Sequence, residues 1–261
     1  MKIDHLEIKI FETRQEMGKA AARMVADKIR ELQGIPKDIN IIFASAPSQN
    51  EFLAALSLEK NISWEQVNAF HMDEYVGLPD DASQNFGHFL KVKLFDKISL
   101  KNVFYFNGNA TDIEAECDRY AQLLTEYPAD IICMGIGENT HIAFNDPFVA
   151  NFNDPLLVKK VELDLASRQQ QVNDKCFDLL DEVPEYAVTL SVPALLKAKY
   201  AYCIVPGKNK AEAIYHTVAE TISEEFPSTI LRNHPNAILF IDGDSSGKLG
   251  KISSHNKAID L

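Results

Sequence analysis

"ADIICMGIGENTHIAFNDP", residues 129–147, runs an apolar segment straight into a polar cluster. A short unbroken apolar run ending at glycines reads as a strand buried on both faces. Glu138, Asn139, His141, Asn145 and Asp146 then crowd into nine positions. A polar loop is the plain account of them. A proton-transfer site is the sharper one: histidine changes charge near neutral pH, and a neighbouring carboxylate, Asp146 or Glu138, can fix its tautomer. Gly135 and Gly137 permit the close backbone approach that a bound ligand needs.

The same strand-then-polar-turn rhythm recurs along the chain. Strands are expected at 39–46, 67–75, 102–106, 156–163, 186–192, 200–205 and 236–242. Helices are expected at 13–33, after "PSQNEFLAAL" begins at Pro47, and at 85–94, 111–126, 167–180 and 208–218. Thr13 with Glu16, and Ser48 with Glu51, have capping-box spacing, and Gly34 closes the first helix. Alternation of this kind specifies an α/β fold: a mostly parallel, Rossmann-like sheet with helices on both faces. Residues 1–261 read as a single domain with a polar tail from Gly243, without repeats, low-complexity segments or a linker.

Composition narrows the function. At 46% hydrophobic and 25% charged the chain is ordinary globular protein. Its net charge of −12, without a basic stripe, argues against nucleic acid, although one local pocket can still be positive. No apolar run of membrane-spanning length and no secretory h-region occur, so no membrane is expected. Cys117, Cys133, Cys176 and Cys203 are widely spaced, form no metal or redox motif, and suit a reducing cytoplasm.

Ligands of open α/β sheets bind beyond the carboxyl ends of the strands. Four polar clusters fall there. "HMDEYVG" (71–77) puts His71 and Asp73 on one side of a strand. A carboxylate in a partly dry pocket serves as a general base; capping the next turn is the plainer role, and His71-x-Asp73 is a weak metal pair. "ASAPSQNEF" (44–52) is a strand, turn and helix start, where free N–H groups with Ser45, Ser48, Gln49 and Asn50 suit a phosphate, as they suit an ordinary cap. "VPGKNKAEA" (205–213) offers Lys208 or Lys210 as a point charge, the alternative being solvated lysines.

Together "FHMDEYVGL", "MGIGENTHIAFNDP" and "VPGKNKA" resemble the signature segments of glucosamine-6-phosphate deaminases, within the wider family that includes galactosamine-6-phosphate isomerases and 6-phosphogluconolactonases. The resemblance runs from the first helix to "NAILFID" and implies the deaminase/isomerase type of α/β fold. It also implies conversion of an amino-sugar 6-phosphate to a ketose 6-phosphate and ammonia, without metal or organic cofactor. By that likeness His141 opens the sugar ring, Asp73 carries a proton from C2 to C1, Asp146 orients His141, Lys210 holds the phosphate and the loop around Ser48 cradles it. The substrate is a small sugar phosphate, glucosamine and galactosamine forms differing at C4, and a homo-oligomer is compatible.

The chain departs from the family pattern in places. Asn139 stands where the deaminases carry aspartate two positions before the histidine, and Glu138 is the nearby carboxylate. Thr140 replaces a glycine, Asp146 the usual glutamate, and A-P-S-Q-N a Gly-Gly-Thr/Ser loop. Arg168 in "SRQQQVN" is a candidate for the missing positive charge. Two other functions compete. A lactonase-like hydrolase needs no carboxylate at C2, and a non-catalytic sugar-phosphate binder needs no base, acid and orienter together.

Overall fold

The computed structural model describes residues 1–79 and 81–250. In chain order its strands are β1 (Lys2–Ile3), β2 (Leu6–Ile10), β3 (Ile39–Phe43), β4 (Val67–His71), β5 (Asp73–Tyr75), β6 (Asn102–Phe104), β7 (Ile131–Met134), β8 (Val158–Glu162), β9 (Tyr186–Leu190), β10 (Tyr200–Val205) and β11 (Ala237–Ile241). Its α-helices are α1 (Arg14–Gln33), α2 (Asn50–Leu56), α3 (Phe86–Lys93), α4 (Ile113–Glu126), α5 (Leu165–Asn173), α6 (Val192–Leu196) and α7 (Ala211–Ala219). No helix among the described residues is long and apolar enough to cross a membrane.

The main sheet runs β1-β2-β11-β10-β7-β3-β4-β6. Every pairing is parallel except the β1–β2 edge. Both faces are covered, so its central strands β3, β4 and β7 are buried throughout. Ile39, Ile41 and Phe43 of β3 pack on one side with Met17, Val25 and Ile29 of α1. Ile42 faces the other way, toward Phe70 and Tyr120. From β3 the chain builds outward through β4 to β6, then crosses to β7 on the opposite side of β3 and continues to β10 and β11. That reversal opens a crevice at the carboxyl ends of β3 and β7, where ligands of such sheets bind.

A second sheet lies apart from the first: β5, β9 and β8, all antiparallel. Here the sequence reading needs correction. The strand expected over 67–75 breaks at Met72, where its carbonyl accepts from Leu190 N–H, and the chain leaves one sheet for the other. The strands expected near 156–163 and 186–192 join this small sheet. The N-terminal β1 and β2 were not anticipated. The helix expected over 167–180 ends at Asn173, followed by Lys175 at φ +60°. Of the tail from Gly243, Ser245 is buried and tied to Asp242, so the described part is not loosely held; residues 251–261 lie outside the described chain.

α1 begins as its sequence dictates, with Thr13 and Glu16 completing a capping box. The second expected capping box does not form: Ser48 lies in a 3-10 turn, and Gln49 precedes α2 without a side-chain cap. α2 is held instead by close approach to α1. A Cβ on Gly18 would lie 2.6 Å from Glu51 Cβ and 2.9 Å from Glu51 C. Gly18→Ala gains about 1 kcal/mol in helix propensity. The overpacking costs about 1–3 kcal/mol, and a backbone neighbour cannot rotate away. We expect a net loss, lowering the thermal midpoint by about 2–4 °C; an unchanged or higher midpoint in a melting scan would show that the two helices part freely.

Candidate active site

The crevice between β3 and β7 opens into a cavity of about 510 Å³, part of it open to solvent. Its walls come from all four polar clusters. Ser45, Ser48 and Gln49 follow β3, Asp73 follows the break after β4, Gly135 to Gly137 and His141 follow β7, and Lys210 follows β10. Gln170 and Gln171, one turn along α5 from Ser167, close the remaining side.

Asp73 opens β5 and is buried, at 7% exposure. Its carboxylate has no hydrogen-bond or ion-pair partner among the described residues, and it borders the cavity. Burial holds this carboxyl well above the usual range, and the charge of adjacent Glu74 pushes the same way. Glu74 itself turns away and accepts from the N–H groups of Tyr75, Phe86 and Gly87 at 3.0, 3.0 and 2.9 Å, tying β5 to the start of α3.

His71 does not accompany Asp73 into the cavity, because the strand breaks between them. It is wholly buried, and burial pulls its pKa down to about 4 against the opposing pull of the Asp73 carbonyl and Glu116. Nε2 accepts from Phe106 N–H at 2.9 Å, which leaves Nδ1–H to donate to the Asp73 carbonyl at 2.9 Å. With both nitrogens occupied by backbone, the metal reading of His71-x-Asp73 is excluded; His71 fastens the backbone of Asp73.

His141 presents its ring to the cavity while Nδ1 faces the protein. Around Nδ1 lie Asn139 Oδ1 at 2.7 Å, Ser167 Oγ at 2.9 Å and Asp146 Oδ1 at 3.0 Å. Asn139 Nδ2 donates to the same Asp146 oxygen at 3.0 Å, and Ser167 Oγ–H donates to it in a short contact. Burial opposes the charge on Asp146. The nearby imidazole and the hydrogen bonds from His141, Ser167 and Asn139 outweigh it and hold the carboxyl down at about 2. An ionised Asp146 and the Asn139 carbonyl both require a donor, so Nδ1 carries the proton and Nε2 is left as a base. Gly137 is small for a reason the sequence did not show: a Cβ there would run into the His141 ring.

Lys210 follows the turn at Gly207, whose φ of +97° favours glycine. It is 4% exposed and has no carboxylate within ion-pair distance among the described residues. Burial lowers its pKa, against the raising influence of Asp174 and Glu138. A buried cation without an ion-pair partner is costly, and an anion in the cavity would offset that cost.

The remaining candidates divide. Ser45 is buried with its Oγ unpartnered, and Ser48 and Gln49 line the cavity beside it. Asn50 begins α2 and does not border the cavity. Glu138 is not beside the imidazole; its Oε1 accepts from Asn209 at 2.8 Å. Arg168 is not in the cavity either. Its Nη2 donates to the carbonyls of Leu180 and Val183 at 3.0 and 2.9 Å, so it braces α5. Nothing local in the sequence marks Ser167, Gln170 and Gln171 as the side of α5 that turns inward.

The sequence model of the family described as glucosamine-6-phosphate isomerases/6-phosphogluconolactonase matches residues 12–147. The chain belongs to this family. It is 34% identical to the glucosamine-6-phosphate deaminase of Streptococcus sanguinis (strain SK36) over 240 residues, covering 92% of this chain and 97% of that one. Among solved structures it resembles a monomeric glucosamine-6-phosphate deaminase with a TM-score of 0.84 at 30% identity, covering 92% and 99% of the two chains. A 6-phosphogluconolactonase from Trypanosoma brucei matches with a TM-score of 0.75 at 19% identity, covering 93% and 98%, which speaks for the fold alone. The α/β fold expected from the sequence is thus the family's fold.

A bare buried carboxylate costs stability. The folded pKa of Asp73 lies above its unfolded value, so its stabilising contribution is fully present below the ordinary carboxyl pKa and is lost as pH rises through the folded value. Asp73→Asn escapes that loss. At pH 7.5 it should be more stable than the parent by roughly 1–3 kcal/mol, with the gap narrowing as pH falls toward about 4. Urea melts across that range decide it; a variant less stable at every pH would make Asp73 a structural residue.

Proposed function

We propose that this chain is an amino-sugar-phosphate deaminase/isomerase, converting glucosamine 6-phosphate or galactosamine 6-phosphate to a ketose 6-phosphate and ammonia. The observation that carries the reading is Asp73: a buried carboxylate without partners in the same cavity as an oriented imidazole and a buried, unpaired lysine. The names of the relatives support the same activity.

Lys210 receives the phosphate, with donors from Ser45 and Ser48 beside it. His141 Nε2 takes the proton of the anomeric hydroxyl and returns it to the ring oxygen, which opens the ring. Asp73 then removes the proton from C2, next to the exposed aldehyde. The substrate's ammonium gives a proton to O1, and the resulting enolamine is protonated at C1 by the same carboxyl, giving a C2 iminium. Water adds to C2 and ammonia leaves, so the atoms balance as amino sugar phosphate plus water to ketose phosphate plus ammonia. A raised carboxyl pKa suits this shuttle, because a carboxylate of higher pKa is the stronger base toward the C2 proton. Every residue in the scheme comes from one copy of the chain, and cytoplasmic sugar phosphates are the fitting substrate pool.

The test is ammonia release from both amino-sugar phosphates. Asp73→Asn should lower kcat by about 1,000-fold or more while substrate still binds. Lactone hydrolysis that survives Asp73→Asn, without ammonia from either amino sugar, would transfer the chain to the lactonase side of the family. Lys210→Ala should raise KM about 10- to 100-fold, the worth of a hydrogen bond to a charged group. Inorganic phosphate should raise the thermal midpoint of the parent protein and not of this variant. Equal stabilisation of both would remove Lys210 from the phosphate site.

A further inference from the structure

We propose that Ser167 is a positioning residue of the imidazole relay, completing a four-membered network of His141, Asn139, Asp146 and Ser167. The proposal rests on the reading of His141 as the ring-opening base. Ser167 is 1% exposed and touches both ends of the relay: its Oγ lies 2.9 Å from His141 Nδ1 and its hydroxyl hydrogen goes to Asp146 Oδ1.

The geometry assigns the hydroxyl a definite orientation. Asp146, ionised, accepts only, so the Ser167 proton points at it. The oxygen lone pairs are then turned toward Nδ1–H. Asn139 is oriented in the same sense, its Nδ2 donating to Asp146 at 3.0 Å and its Oδ1 accepting from Nδ1 at 2.7 Å. Two neutral groups, each donating to one carboxylate oxygen, thus each present an acceptor to one ring nitrogen. Both favour the tautomer with the proton on Nδ1, and both stabilise the imidazolium that forms when Nε2 takes a proton.

Ser167 reaches this place on α5. The helix is capped by Asp164, which accepts from Ala166 N–H at 3.3 Å, and braced by Arg168 on the carbonyls of Leu180 and Val183. Gln170 and Gln171, on the same helix, border the cavity. One helix therefore covers the substrate space and completes the relay, so the base is fully oriented only where α5 is docked.

Two measurements test this. In kinetics, Ser167→Ala should lower kcat about tenfold, a part of the 100-fold or more that a positioned acid–base group contributes. KM should change little, and the pH profile of kcat/KM should move. The loss should disappear when Asp146→Asn is already present, because both changes act on the same imidazole. In NMR of protein labelled with 15N-histidine, assigned by comparison with His141→Gln, the parent should show one tautomer with Nδ1 protonated and Ser167→Ala a mixture of two. An unchanged tautomer with an unchanged kcat overturns the proposal. So does an equal loss in both backgrounds with the tautomer unmoved, which would make Ser167 merely a helix-docking residue. Absence of ammonia release by the parent would defeat the functional reading, while the NMR comparison would still decide whether Ser167 orients the ring.

Discussion

Asp73 carries a carboxylate out of water with nothing to balance it, and the architecture around the cavity answers to that. An unpaired buried charge is among the most expensive features a fold can hold. Two others share the cavity region, and they are treated differently. Asp146 has one oxygen surrounded by His141, Asn139 and Ser167. Lys210 and Asp73 are left bare. The division fits the proposed chemistry: the orienting group is held through Oδ1 by the protein, and the groups assigned to the substrate are left for it.

Holding a bare charge in place requires rigid backbone, since no side-chain contact does it. The break at Met72 supplies the position, turning the chain from a parallel sheet into an antiparallel one so that Asp73 is paired across β5–β9 with Thr189. His71 supplies the fastening. As a neutral imidazole it bonds the Asp73 carbonyl on one side and Phe106 N–H on the other. Glu74 ties the next residue to α3 through three N–H groups. The His71 and Glu74 side chains are thus bonded to backbone, and the Asp73 carboxyl between them is left free. The thick apolar layers on both faces of the main sheet offset the cost.

The parallel sheet was legible because its strands are buried on both sides and so read as mostly apolar runs, as in "INIIF" and "IICM". The four cavity loops were legible from the rule that such sheets bind ligands at their carboxyl ends. The second sheet was not. β5 is three residues long and continues β4 without a turn signal, so periodicity alone reads one strand. Arg168 misled because a cation in a polar helix looks available, whereas its partners are backbone carbonyls with no side-chain signature. Ser167 stayed hidden for the related reason that α5 has few apolar residues to mark its inner face, and only the fold shows which side meets His141. The capping spacing at Ser48 and Glu51 failed because both side chains are engaged elsewhere: Glu51 pairs with Arg14 at 2.8 Å, and Ser48 Oγ accepts from Gln49 Nε2 at 3.1 Å.

The departures around His141 form one compensated set. The resemblance leads to expect two carboxylates near the imidazole, an aspartate two positions before it and a glutamate at position 146. Here the first is Asn139 and the second is shorter by a methylene. Both substitutes still reach Nδ1, at 2.7 and 3.0 Å, but together they bring one charge instead of two. The amide contributes a dipole, and Ser167 bridges the remaining space between Asp146 and the ring. Thr140 belongs to the same rearrangement. Its φ of +72° suits glycine and costs a side chain about 1–2 kcal/mol. Its carbonyl accepts from Ser228 N–H at 3.0 Å, which holds the turn that carries Asn139 and His141 into register. A site with one fewer buried charge needs less desolvation, and in exchange it depends on neutral hydrogen bonds whose strength lies wholly in their geometry. With Ser167 in its proposed role, that dependence makes the docking of α5 part of the chemistry, where a second carboxylate would have acted from a distance.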